Sequence, residues 1–593
     1  MSNYMLVISD RDLAIKVASW LERFSEKGVA EVMQLQLSAS AWLTYVSRRP
    51  LSECKEDHNL IFKGFAIDYD EKSLYMGAEG FISHLQEQKR PIRGRPLEGC
   101  YLSVRWDADS IYVSNDLFAL CPILYTTGAA MVAMSDSAYM LAELRRELGL
   151  RRDLNENAAI ARSWLNAMAG QMLSQDTLVE QIKFLHVGRG LEISLDNRLK
   201  VEVVSRNCYE DFSVEGAGYV QGVRLAGQRM ASLMKTLSGI SPNVARLSIS
   251  GGMDSRVCLA AALCSEVGKE QAVFSCTNTN QGHARDYMIV ESLSKKFGFP
   301  LGLRGDGAND KGMFQRVKDD LGLWFLSNAG IYDYMKFNSV VRIRGGAFSI
   351  TGHGAEIVKG NYGWRPIRVI ADKIKEREVS AAFKAQCQAG LVAMGIDGDD
   401  KYGSEWHYLG FRNAVHSGRF VPSTMTGFRP IMNRDLVALG RSSANEWPTP
   451  AKNGQSLISD LLVYLSPELA AHPFDNPHKN LSESVVADRL KYLGVLHSDE
   501  LDDYRVLGGF DDVVSGFPRV FQRLLAARGL DHPAKREVVS ELIERNWRRL
   551  DGAVRDVYTS TYNEATSKVA DEGLALSQMR GSVGKILAFE LLA

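Results

Sequence analysis

Apolar residues in the first two hundred positions come in short alternating runs, whereas beyond residue 218 they recur at helical spacing. Tyr101-Leu102-Ser103-Val104-Arg105-Trp106, Ser110-Ile111-Tyr112-Val113-Ser114 and Gly190-Leu191-Glu192-Ile193-Ser194-Leu195 read as strands. Asp107-Ala108-Asp109 and Asp196-Asn197 supply turns between them. Residues 1–10 read as a further strand; they lack the basic segment and long apolar core of a signal peptide. A polar, glycine-containing stretch over 206–218 marks a boundary, predicting one domain over 1–205 and a second over 206–593. Past it the pattern predicts a helix over 219–238, a strand over 244–249, a helix from 257, a strand over 272–276 and a helix over about 283–296. Strands alternating with helices imply a parallel, doubly wound sheet, in which ligands bind at the carboxyl ends of the strands. From about residue 372 the pattern is mostly helical, without internal repeats.

Composition narrows the class. A chain of 593 residues, 45% hydrophobic and 24% charged, has the make-up of a multi-domain globular protein. A formal net charge of −1 gives no global field to attract nucleic acid or an anionic membrane surface, so neither is an expected partner. Eight cysteines are scattered without a C-x-x-C pair, which argues against zinc and disulfides and suits a reducing, cytoplasmic setting. Runs of about 18 apolar residues, the length a membrane span needs, are missing.

The most informative chemistry lies at the first strand of the second half. Leu247-Ser248-Ile249-Ser250-Gly251-Gly252-Met253-Asp254-Ser255-Arg256 runs from a strand through a small-residue turn toward a helix. Such a turn offers free backbone N–H groups and the positive end of a helix dipole, an arrangement that binds phosphate. Gly251 and Gly252 let an anion approach the main chain, and Asp254 adds a carboxylate suited to a divalent metal. This is the pattern of a pyrophosphate loop that cleaves ATP between the α and β phosphates; an ordinary strand–turn–helix corner is the plainer alternative. It is not the Walker type, which disfavours a kinase or GTPase.

Four blocks in order extend the pattern: Leu97-Glu98-Gly99-Cys100-Tyr101 through Pro122-Ile123-Leu124-Tyr125; Thr177 to Lys183 with Val187-Gly188-Arg189-Gly190; the loop at 248–255; and Thr351-Gly352-His353-Gly354-Ala355-Glu356-Ile357. Together they resemble the asparagine synthetase family, with its β-lactam synthetase and lasso-peptide cyclase relatives. The resemblance implies an α/β protein. It would comprise a degenerate class II amidotransferase-like (Ntn-type) β sandwich over 1–205 and an adenine-nucleotide α-hydrolase-like (PP-loop) domain with a parallel sheet over 206–593. Glutamine-using members carry Cys after the initiator Met, whereas position 2 here is Ser and the nearest cysteine is Cys54. A serine without a dedicated base is a weak nucleophile, so no glutaminase activity is expected.

The same resemblance implies site roles. Ser250, Gly251, Gly252 and Ser255 would hold pyrophosphate; Ser248, Ile249, Ser275 and Gly352 would line the AMP part; Asp254 and Glu356 would carry Mg²⁺, with Glu356 standing where the family has Asp. His353 falls where the β-lactam enzymes place a residue that helps deprotonate the attacking amine, and a neutral imidazole suits that task near pH 7; a structural His flanked by glycines is the alternative. Arg429 to Asp435 is similar to the family's helix entry and Lys452-Asn453-Gly454-Gln455-Ser456 to its Asn-Gly turn. The family's catalytic Lys, however, is matched by Leu457, leaving Lys452 and Lys479 as substitutes.

The expected activity is an ATP- and Mg²⁺-dependent ligase that adenylates a carboxylate and closes an intramolecular amide, a β-lactam or other small lactam. Its substrate would be a small molecule or peptide bearing both carboxylate and amine. A lasso-type macrocyclase, an intermolecular amide ligase and a non-catalytic nucleotide- or peptide-binding homologue are the alternatives. A homodimer is one assembly open to it.

Overall fold

The computed structural model describes residues 4–593 except 26–29, 88–93, 129, 197–198, 214–217, 241–244, 279–280, 304–313, 318–320, 336–338, 344–347, 361, 421–425, 448–453, 510–520, 532–533, 577–578 and 580. Its first third is built from two large sheets. One runs Ile182–Leu185, Ile123–Gly128, Met131–Ser135, Met5–Ser9, Trp42–Ser47, Glu31–Gln36, antiparallel throughout. The other runs Val201–Ser205, Arg189–Ser194, Ser110–Asn115, Glu98–Trp106, Leu60–Asp68, Ser73–Met76. Val7, Tyr45, Ile61, Leu102 and Val113 from the two sheets share one core. The central strand Leu60–Asp68 is buried on both faces, because Leu60 and Phe62 point instead at the helix Gly77–Glu87, where Phe62 stacks on Phe81 at 4.1 Å.

One strand crosses the expected boundary at 205. Arg505–Leu507 pairs in parallel with Ser73–Met76 and so extends the second sheet from far down the chain. The short parallel pairing carries no periodic sequence signal of its own.

A third sheet is wholly parallel, in the order Leu301–Leu303, Val273–Cys276, Ala245–Ser248, Phe348–Ile350, Thr426–Phe428. Numbered along the chain this order is 3-2-1-4-5, so the winding reverses between Ala245–Ser248 and Phe348–Ile350. The crevice beyond the carboxyl ends at such a reversal is where doubly wound sheets bind ligands. The helices Tyr219–Gly239, Met253–Leu263 and Leu457–Leu465 pack against one another beside it. The N-terminal sheets dock on the far edge: Phe65 stacks on Phe428 at 4.0 Å, and buried Glu98 accepts the backbone N–H of Arg434 at 3.1 Å.

The helix expected from Val257 begins four residues earlier, at Met253, with Gly252 as its N-cap. Asp254 therefore sits in the first helical turn, where a carboxylate is favoured by the dipole, rather than in the loop. No helix among the described residues is long and apolar enough to cross a membrane.

Candidate functional site

The two glycine-rich loops lie side by side at the winding reversal. Ser248 is in register with Ser275 on the neighbouring strand, and Ile249 donates its N–H to the Ser275 carbonyl at 2.8 Å. These three residues thus cluster at the carboxyl ends of adjacent strands. Ser250 continues the turn: its N–H donates to Ser255 Oγ at 3.0 Å, the two hydroxyls lie 3.0 Å apart, and the Gly252 N–H reaches Ser250 Oγ at 3.3 Å. The turn is held by its own hydroxyls, with Ser255 tying the first helical turn back to the loop.

Gly352 explains how closely the loops approach. A Cβ at this position would stand 2.6 Å from the Asp254 carbonyl carbon and 2.7 Å from the Ser255 nitrogen, both immovable backbone. From below, Cys258 Sγ donates to the Thr351 carbonyl at 3.6 Å. Gly251 is similarly confined: a Cβ there would meet Asp286 Oδ1 and Asp475 Cβ, both at 2.8 Å. Its N–H donates to Asp286 Oδ1 at 2.9 Å, and its carbonyl accepts the Asp475 N–H at 3.1 Å.

Charge is concentrated at Asp254. Lys359, the last residue of the short helix Ala355–Lys359, places its Nζ 2.6 Å from Asp254 Oδ2. Burial raises the Asp254 pKa, Lys359 works against that rise, and the nearby Glu356 carboxylate adds to it. Lys479 also draws the Asp254 pKa down. Glu356 turns one oxygen back to accept the Gly354 N–H at 3.0 Å. Among the described residues no group of three or more His, Cys, Asp or Glu side chains would hold a metal unaided. The Asp254 and Glu356 pair nonetheless suits Mg²⁺, which usually takes one or two carboxylates and completes its shell with water and phosphate oxygens.

His353 packs against a second histidine. Its ring lies edge-on to His416 at 5.6 Å, and His416 Nδ1 is 2.9 Å from the Tyr332 hydroxyl. Arg412 lies over the Tyr332 ring at 5.0 Å. The structure therefore gathers Ser248, Ile249, Ser250, Gly251, Gly252, Asp254, Ser255, Ser275, Gly352 and Glu356 at one edge, with His353 opening onto an aromatic and basic wall beside it.

Several expectations about neighbouring residues change. Leu457 is buried at the start of its helix, whose N-cap Ser456 forms a reciprocal capping box with Ser459, so this position projects no charge. Lys452 lies outside the described residues. Lys479, by contrast, stands at the site: the Gly454 turn (φ +74°) packs against the Lys479 carbonyl, and Lys479 Nζ pairs at 3.1 Å with Asp475, whose backbone N–H is bound to Gly251. Arg256 is fully buried. It donates to the carbonyls of His472 at 2.6 Å and Pro473 at 2.8 Å, and its guanidinium lies 3.8 Å above the Phe474 ring. Asp333 is enclosed with Arg162 and Lys585. Both are internal anchors.

Asp286, Asp475, Lys359 and His416 were missed by sequence reasoning. Only Lys359 carried a local signal, standing three residues after Glu356 on the same helix. In the N-terminal sheets Cys54 is buried, and burial with help from Glu56 pushes its thiol up to about 11. Ser2 lies outside the described residues.

No family model and no curated protein matches the chain. Among solved structures, similarity is found to an allosteric regulatory enzyme of purine biosynthesis, at 11% identity over 64% of this chain and 78% of that one, with a TM-score of 0.23. A glutamine phosphoribosylpyrophosphate (PRPP) amidotransferase from B. subtilis complexed with ADP and GMP is similar at 11% identity, over 64% of this chain and 79% of that one, with a TM-score of 0.21. Likeness at this level extends to neither ligand nor activity. The asparagine-synthetase resemblance rests on the motifs alone.

Proposed function

We propose that this protein is an AMP-forming, ATP-dependent amide ligase whose catalytic centre is the crevice between the two glycine loops. The observation that carries the reading is the backing of Gly352 onto the Asp254 main chain at the winding reversal. It brings the Ser-Gly-Gly turn, two carboxylates and two lysines to one point, with Asp286 Oδ1 on the Gly251 N–H that pyrophosphate would have to take over. An anionic leaving group with a bound cation is the ligand for which that combination is built.

In this reading a substrate carboxylate oxygen attacks the α-phosphorus of ATP. The α–β anhydride bond breaks, and pyrophosphate leaves with the electron pair. Asp254 and Glu356 would hold Mg²⁺, which when bound neutralises charge on the departing phosphates. The turn from Ser250 to Ser255 orients the triphosphate tail, while Ser248, Ile249 and Ser275 flank the nucleoside end. An amine of the same substrate then attacks the acyl carbon, an amide bond forms and AMP departs. His353 takes the amine's proton, and its ring is steadied by His416 and, through it, by Tyr332. Holding amine and acyl group on one molecule removes the entropy of a bimolecular encounter. Lys479 replaces the family's lysine as the cation nearest the acyl phosphate, in the place Leu457 cannot fill. The N-terminal sheets supply no ammonia, a reading supported by the buried, weakly acidic Cys54 thiol.

ATP–pyrophosphate exchange across a panel of amino-carboxylic acids tests the proposal. A stimulating acid is expected, with product one water lighter than its substrate. Asp254→Ala abolishes exchange, whereas His353→Ala keeps exchange and loses product. Exchange that is absent with every acid, alongside intact nucleotide binding, would favour the non-catalytic homologue, a second reading to which the buried Leu457 lends weight.

A further inference from the structure

Asp254 already carries a cation of the protein's own. Lys359 reaches it from the second loop's helix, 105 residues further along the chain, at 2.6 Å. The side chains of both partners are partly open to solvent, at 37% for Lys359 and 29% for Asp254, so the pair is accessible and can exchange partners. Glu356, three residues before Lys359, has one oxygen committed to the Gly354 N–H. Asp254, Glu356 and Lys359 together leave one net negative charge, which a single divalent ion would over-neutralise. Lys479 stands on the other side, tethered to Asp475 at 3.1 Å and thus to the floor of the first loop.

We propose that Lys359 is a resident cation of the pyrophosphate site. It neutralises Asp254 before nucleotide arrives, then hands that carboxylate to Mg²⁺ and transfers its own ammonium to a β- or γ-phosphate oxygen. An ammonium on a flexible four-carbon stem is a mobile point charge able to make that exchange. Its stem is anchored one residue before the left-handed Gly360 cap, so the ammonium stays beside the first loop whichever partner it holds. The consequence is a triphosphate site that needs divalent metal less than its two carboxylates alone would require.

This inference rests on the nucleotide reading, and the experiment separates the two. ATP binding to the full chain is measured by calorimetry in excess Mg²⁺ and in EDTA, for the wild type, Lys359→Gln and Lys359→Arg. In EDTA, Lys359→Gln is expected to bind ATP at least about tenfold more weakly than the wild type. In excess Mg²⁺ its deficit is smaller, the Mg²⁺ concentration needed for half-maximal binding rises, and Lys359→Arg recovers most of the EDTA binding. A wild type that binds ATP in Mg²⁺ while Lys359→Gln shows the same EDTA-to-Mg²⁺ affinity ratio overturns the role of Lys359 and leaves the nucleotide reading standing. A wild type that binds no ATP in either condition overturns both. Thermal melting of each variant identifies any loss caused by misfolding, and Lys359→Arg, which keeps charge and length, then decides.

Discussion

At the scale of single residues, the site depends on the absence of one carbon atom. Gly352 has no room for a Cβ, since the nearest obstacles are main-chain atoms of Asp254 and Ser255 that no rotamer change can move. Gly352→Ala is expected to push the two loops apart, costing about 1–3 kcal/mol of stability. Under the proposed function, in which displacements of about 1 Å at a reacting centre cost on the order of a hundredfold in rate, exchange activity should fall by about that factor while the protein remains folded. A melting curve and an exchange assay on the same preparation check both parts. The glycine was legible as part of a motif; the reason it must be glycine was not. That reason is an obstacle 98 residues away in the chain, and local periodicity carries no trace of it.

At the scale of elements, the first loop is shaped by the segment that links the helix Pro467–Ala471 to the 3-10 turn Pro477–Lys479. Arg256, on the helix Met253–Leu263, donates to the carbonyls of Leu469, His472 and Pro473 and covers Phe474. It thereby delivers Asp475 and Lys479 to Gly251. Removing the guanidinium strands those buried carbonyls, and Arg256→Met is expected to cost about 3 kcal/mol in a denaturant titration. Under the proposed function ATP affinity should fall with it, because Asp475 would lose its seat beside Gly251. Sequence periodicity placed the strand, the turn and the helix correctly to within a few residues, since these follow from local spacing. The helix start was misplaced because Met253, Asp254 and Ser255 look like loop residues until Gly252 is seen to cap them.

At the scale of the whole molecule, the N-terminal sheets are bound to the second half through a buried acid. Glu98 lies between the strand Glu98–Trp106 and the helix Arg434–Arg441, accepting the Arg434 N–H. Burial pushes its carboxyl up to about 8, opposed by that hydrogen bond and assisted by the neighbouring Asp435. Its pKa in the unfolded chain is near 4.5, so between these values the folded state holds a proton that the unfolded state has released. Stability contributed here is complete below about pH 4.5 and declines as pH rises toward 8. Glu98→Gln, which keeps the acceptor oxygen, is expected to flatten that part of the profile and to gain most over the wild type at pH 8. Denaturant midpoints from pH 5 to 8.5 check it, and an unchanged slope would count against a buried neutral acid at this junction.

The chain by itself determined the strand, turn and helix around residues 245–263, the two glycine loops and the presence in them of Asp254, His353 and Glu356, because these depend on residues within a turn or two of one another. Tertiary structure alone decided the 3-2-1-4-5 strand order, the addition of Arg505–Leu507 to the N-terminal sheet, and the convergence of Lys359, Asp286 and Asp475 on the first loop. These contacts join segments tens to hundreds of residues apart. Their pairing is selected by the packing of the whole core, a property no short window of sequence contains.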